Sequence, residues 1–125
     1  MKKVIHSDQA PKAVGPYSQA IQIGDLIFTS GQLPLDPASG KFVSGGIKEQ
    51  THRVLENLKA VLESAGSNLS KVVKVTVFLA DITDFALFNE VYGTYFPSEQ
   101  PARSAFQVAA LPLGARLEVE MVASV

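Results

Sequence analysis

The chain contains no cysteine and no tryptophan, and it has only two histidines. Without cysteine there can be no disulfide framework, no thiolate metal site and no thiol nucleophile, and folding is not tied to a redox compartment. His6 and His52 have no third ligand at metal spacing, so no metal centre is expected. Neither sign of charge dominates. The 11 basic and 12 acidic side chains leave a formal net charge of −1, which gives no general attraction to a phosphate backbone. Nucleic acid is therefore not the expected partner. Long apolar runs are also missing: no stretch approaches the roughly 18 consecutive apolar residues of a membrane span. Met1-Lys2-Lys3 leads into polar residues and Pro11 rather than the apolar segment of a signal peptide. These absences point to a soluble, cytoplasmic protein with no membrane contact.

What is present suits one folded unit. For 13.4 kDa, area scaling gives about 6,500 Å² of folded surface against about 19,000 Å² unfolded. About two-thirds of the surface is then buried, enough for a core without cross-links. The sequence shows no internal repeat, low-complexity tract or linker, and residues 1–125 are expected to form a single domain.

Val4 to His6 is a short extended segment, followed by a loop with Pro11, Gly15 and Pro16. Tyr17 to Ile23 and Leu26 to Ser30 flank Gly24-Asp25 and read as a hairpin. Leu33 to Gly46, with its prolines and glycines, reads as a mobile surface loop. From Ile47 to Ala65 apolar residues recur at helical spacing, with Gly66 at the C-terminal cap. Lys71 to Leu79 reads as a strand with Val73, Val75, Val77 and Leu79 on one face. Asp81, Thr83 and Asp84 offer caps for a second helix over Phe85 to Phe96, whose apolar side carries Phe85, Phe88, Val91, Tyr92 and Tyr95. Arg103 to Val108 reads as a strand, and Pro112-Leu113-Gly114 as a turn. The last strand alternates. Arg116, Glu118, Glu120, Val122 and Ser124 point one way, while Leu117, Val119, Met121, Ala123 and Val125 point the other.

The order β-β-β-α-β-α-β-β implies an α+β fold in which two helices cover one face of a mixed sheet. The other face keeps Ile, Val and Phe side chains among its polar ones, which calls for a homo-oligomer.

Catalytic candidates are few. No phosphate-cradling glycine loop and no Gly-x-Ser-x-Gly elbow occurs, which argues against covalent serine catalysis at Ser30. Arg103 is one of only three arginines and enters a strand. A guanidinium fork on a rigid element suits a carboxylate, although an Arg–Glu salt bridge within the sheet or between subunits would use the same geometry. Glu118 with an ordinary carboxylate pKa can orient or deprotonate water if it faces a pocket, whereas Glu120 reads as a solvated or paired surface acid. Tyr17 combines an aromatic wall with a hydroxyl and equally suits a core or interface position. Asn89 equally suits solvent.

Gly15-Pro16-Tyr17-Ser18-Gln19-Ala20, Ser30-Gly31-Gln32-Leu33-Pro34, Val75 to Asp81, Pro101-Ala102-Arg103-Ser104 and Leu117-Glu118-Val119-Glu120 together span nearly the whole chain. In combination they resemble the reactive-intermediate deaminase family, RidA subgroup, formerly YjgF. The resemblance implies a chorismate-mutase-like fold and a homotrimeric barrel with sites in clefts between subunits. It also implies cofactor-free hydrolysis of 2-aminoacrylate, 2-iminopropanoate and 2-iminobutanoate to 2-oxo acids and ammonia. By motif position, Arg103 would hold the substrate carboxylate and Glu118 would direct the attacking water. Tyr17, Ser30, Gly31 and Asn89 would line the pocket; Ser30 and the Gly31 amide can donate to the substrate carboxylate or stabilise charge in the tetrahedral adduct, and the sequence assigns neither role. Many relatives carry cysteine where this chain has Ala105, so the thiol is expected to be dispensable. Two other readings stand beside this one. The first is a metabolite-binding regulator that uses the same cleft without turnover. The second is a ribonuclease or translation inhibitor, which the acidic balance opposes.

Overall fold

The alternating and helical patterns resolve into six strands and two helices in the computed structural model, which describes residues 1–125. The strands are β1 (Lys3–Ile5), β2 (Ala20–Ile23), β3 (Leu26–Thr29), β4 (Val72–Leu79), β5 (Ala102–Gln107) and β6 (Leu117–Ser124). They form one mixed sheet in the order β1-β2-β3-β6-β4-β5. Helix α1 (Ile47–Ser64) joins β3 to β4, and α2 (Phe85–Tyr95) joins β4 to β5. Only β4 and β5 run parallel, as a connection through a helix allows. No helix is long and apolar enough to cross a membrane.

Helix α1 starts where the Gly46 N–H donates to Glu49 Oε1 at 2.7 Å, and it stops before Gly66, whose φ of 79° favours glycine. Val54, Leu55, Leu58, Val61 and Leu62 form its fully buried stripe against the sheet. The two helices are tied together by polar contacts. Lys48 pairs with Glu90 at 2.6 Å, and the Tyr95 hydroxyl donates to Glu56 at 2.8 Å.

Strand β6 alternates as its sequence requires, with Leu117, Val119, Met121 and Ala123 in the core. Strand β4 departs from expectation at its start. Val72 lies opposite Ala123 while Lys74 lies opposite Val122, so two steps on β4 match one on β6 and Val73 bulges out. Val73 is therefore 48% exposed, and Val72 takes its place in the core. The first arm of the hairpin also begins later than expected, at Ala20. Before it, the Tyr17 N–H turns back to the Gly15 carbonyl at 2.8 Å. The buried Gln19 carboxamide accepts from the Ser7 N–H at 2.6 Å and donates to the Pro11 carbonyl at 2.8 Å.

The segment expected to be a mobile loop is folded. Leu35 bridges Phe42, and the Val43 N–H reaches the Pro34 carbonyl at 3.1 Å. The fully buried Asn57 of α1 holds this segment from below, donating to the carbonyls of Leu33 at 3.3 Å and Leu35 at 2.9 Å.

Both helices lie on one face of the sheet. The opposite face exposes Ile23, Leu26, Phe28 and Phe106, and Phe78 meets Phe106 edge to face at 5.4 Å. The apolar character expected of the uncovered face is present.

Candidate active site

The site begins where β3 loses register with β6. Phe28 pairs with Val122, and the ladder resumes with Gln32 opposite Val119. Four steps on one strand (28 to 32) match three on the other (122 to 119), so one extra residue bulges between them. Thr29 Oγ1 fills the gap by accepting the Met121 N–H at 2.9 Å. Ser30 and Gly31 are thereby turned out toward Glu118.

Ser30 is already committed as a donor. Its N–H bonds the Gln19 carbonyl at 2.9 Å, and its hydroxyl donates to the Ser18 carbonyl at 2.6 Å. Both of its protons are used within the chain, which leaves the hydroxyl oxygen's lone pairs as its free hydrogen-bonding capacity. Gly31 differs, because its N–H takes part in none of the chain's backbone hydrogen bonds outside the regular elements and stays available. A Cβ here would lie 2.7 Å from Glu118 Cδ and 2.9 Å from Cγ, so any larger residue would push the Glu118 carboxylate out of its place.

Tyr17, Ser30, Gly31 and Glu118 line one cleft of about 350 Å³, with Val14, Leu33, Leu35 and Pro112 as apolar walls and Lys12 as its only cation. The Tyr17 hydroxyl accepts the Val14 N–H at 3.2 Å, which leaves its own proton free. Burial pushes the Glu118 carboxyl above the usual carboxylate range, and the neighbouring Glu120 adds to the shift. Glu118 is thus a better proton acceptor than the ordinary glutamate expected from sequence.

Arg103 and Asn89 are not in this cleft. Arg103 is in register with Val75 on β4, whereas Glu118 is in register with Phe78, three residues further on. An odd offset on a strand changes face. Val75 points into the core beneath the helices, so Arg103 lies on the helix side and Glu118 on the uncovered side. Arg103 Nη1 donates to Asn89 Oδ1 at 2.9 Å, and its Cζ stands 5.2, 5.9 and 4.7 Å from the ring centroids of Phe85, Phe88 and Tyr92. These four residues occupy i, i+3, i+4 and i+7 of α2, one stripe of the helix. The salt bridge within the sheet weighed for Arg103 from sequence does not form in this chain, where the only Lys or Arg paired with a carboxylate is Lys48, with Glu90.

The apolar stripe of α2 was visible in the sequence, but its role as a cradle for Arg103 was not. A polar Asn89 inside that stripe was the available signal. Gln19 and Asn57, which hold the walls of the cleft, carry no local sequence signature. His6 contacts Asp8 and His52 contacts Tyr95, and no three ligand-type side chains gather as a metal cluster.

The mixed sheet is covered by helices on one side, and the bulge after β3 brings Gly31 against the Glu118 carboxylate of β6 in a small cleft. The profile described as Endoribonuclease L-PSP matches residues 7–125, and the chain belongs to that family, the one its motifs resemble as RidA/YjgF. It is 55% identical over 122 residues to a RutC family protein of Pyrococcus abyssi, covering 98% of this chain and 96% of that one. It is 50% identical over 123 residues to the 2-iminobutanoate/2-iminopropanoate deaminase of Homo sapiens, covering 98% and 90%. The crystal structure of E. coli TdcF with bound serine superposes with a TM-score of 0.94 at 40% identity, covering 98% of each chain.

Proposed function

We propose that this chain is a cofactor-independent deaminase that hydrolyses 2-iminopropanoate, 2-iminobutanoate and their enamine tautomers to 2-oxo acids and ammonia. The observation that carries the reading is Glu118, a carboxylate of raised basicity beside the free Gly31 N–H in a cleft of small-molecule size. The deaminase name of a relative half identical over nearly the whole chain supports it.

Arg103 grips the substrate carboxylate, and Glu118 orients a water against C2 of the protonated imine. The water oxygen bonds to C2, one water proton passes to Glu118, and the C=N pair moves onto nitrogen. The Gly31 N–H stabilises charge in the tetrahedral adduct, and the free Tyr17 proton is placed for the same task. Glu118 returns its proton to the amine. The C–N bond then breaks with its electron pair leaving on ammonia, the adduct hydroxyl passes its proton to that ammonia, and 2-oxo acid and ammonium leave.

Because Arg103 and Glu118 lie on opposite faces of one chain, the site requires two copies. The Arg103 and Asn89 edge of one copy meets the cleft of the next, in a homotrimer joined through the uncovered sheet face. The single 125-residue domain acts as the protomer. The ribonuclease reading finds little support, because the charged lining of the cleft is one lysine and one glutamate, not a basic track for phosphates.

The test generates 2-aminoacrylate in situ from serine with a dehydratase and follows its decay. Wild type is expected to accelerate decay. Arg103→Lys, which loses the fork, is expected to lose at least about tenfold in activity. Glu118→Gln is expected to fold and to lose about a hundredfold. Full activity in either variant discards that residue's role, whereas decay unchanged by wild type together with tight ligand binding overturns the assignment in favour of a non-catalytic binder.

A further inference from the structure

A guanidinium set against apolar groups normally needs a carboxylate partner, because a buried charge without one is costly. Arg103 has none in this chain. Its surroundings on α2 are three ring faces and the neutral amide of Asn89. Such a cradle sets the direction of the fork through ring quadrupoles and one hydrogen bond, without neutralising it. An acid in the same place would compete with any anionic ligand.

Of the three rings, Tyr92 is nearest to the guanidinium at 4.7 Å, and it is also well fixed. It is 6% exposed and stacks between Phe88 at 5.4 Å and Phe96 at 4.7 Å, both core residues. Its hydroxyl is buried and makes no well-formed hydrogen bond, and the one polar group that acts on it is Arg103 itself, which opposes the effect of burial on its ionisation. Burial also pushes its ionisation upward, which keeps the ring neutral.

We propose that Tyr92 is a positioning residue whose ring, clamped between Phe88 and Phe96, holds the Arg103 guanidinium in line for a ligand carboxylate without pairing it to an acid of its own chain. This rests on the reading of Arg103 as the carboxylate anchor. Tyr92 touches no substrate and acts only through Arg103.

The test measures binding of 2-oxobutanoate by calorimetry, and kcat by ketoacid release, for wild type, Tyr92→Leu, Tyr92→Phe, Arg103→Ala and the double variant Tyr92→Leu/Arg103→Ala. Tyr92→Leu is expected to weaken binding about five- to tenfold, with kcat at saturation held within about threefold. Tyr92→Phe keeps the ring and is expected to restore wild-type binding. In the Arg103→Ala background Tyr92→Leu is expected to add less than about twofold, because its effect passes through the missing side chain. Tyr92→Met is read in the same way if the leucine variant does not fold. Unchanged binding in folded Tyr92→Leu or Tyr92→Met, an effect that adds fully to Arg103→Ala, or a phenylalanine variant as weak as leucine overturns the proposal. If Arg103→Ala binds 2-oxobutanoate like wild type, the anchor reading falls and takes this proposal with it. If Arg103→Ala binds weakly while Tyr92→Leu does not, only the positioning role is lost.

Discussion

Glu118 links burial to pH dependence. Its carboxyl titrates above the usual range, first because it is desolvated and second because Glu120 shares its face. The reaction needs the ionised form, so activity should fall on acidification at a higher pH than an ordinary glutamate would give. Replacing Glu120 with glutamine removes the second cause and leaves the first. The acid limb of the pH–rate profile should therefore move to lower pH without reaching the ordinary carboxylate range; a profile left in place would remove Glu120 from the account. The sign for stability is opposite to that of a salt-bridged acid. A raised folded-state value stabilises the fold below the unfolded pKa, and that contribution is lost as pH rises through the folded one. Glu118→Gln should consequently melt higher than wild type at neutral pH. At this scale the sequence was informative about residue type and silent about state. Alternation on the last strand put Glu118 on the face away from the core, but nothing local reported its desolvation. The serine of Ser30-Gly31 was visible too, whereas the use of its proton by Ser18 depends on a contact twelve residues away.

The bulges show why the elements were legible and their registers were not. Helix α1, helix α2 and strand β6 follow from periodicity alone, because burial of one face repeats with the period of the backbone. The Val73 bulge and the extra residue between Phe28 and Gln32 are settled by the neighbouring strand, and they determine which side chains face out. The folded segment after Gln32 is a similar case. Its proline and glycine content suited a loop, and its order comes from Asn57 on another element. Asn57→Ala would strip two carbonyls of their donor and leave Arg53 Nε without its acceptor. A loss of about 2–4 kcal/mol is expected, measured by urea unfolding, together with faster proteolytic cleavage between residues 33 and 43. A variant as stable as wild type would mean that the segment holds itself.

For the whole molecule, the uncovered apolar face was legible, since two helices shield only one side of a sheet. The division of the site between faces was not, because it rests on the register of β4 with both its neighbours. That division is testable by mixing. Arg103→Ala and Glu118→Gln proteins are each expected to be nearly inactive. Unfolding them together and refolding at equal ratio should restore about a quarter of wild-type activity, because one junction in four combines two intact halves in a cyclic assembly. No recovery would place both groups in the same copy.

In the proposed two-copy site the same split would govern inheritance. In a cell expressing a sound allele and an Arg103-defective one equally, about half of the junctions keep both parts. Damage then scales with gene dosage instead of acting dominantly, and two alleles broken in different halves can complement each other.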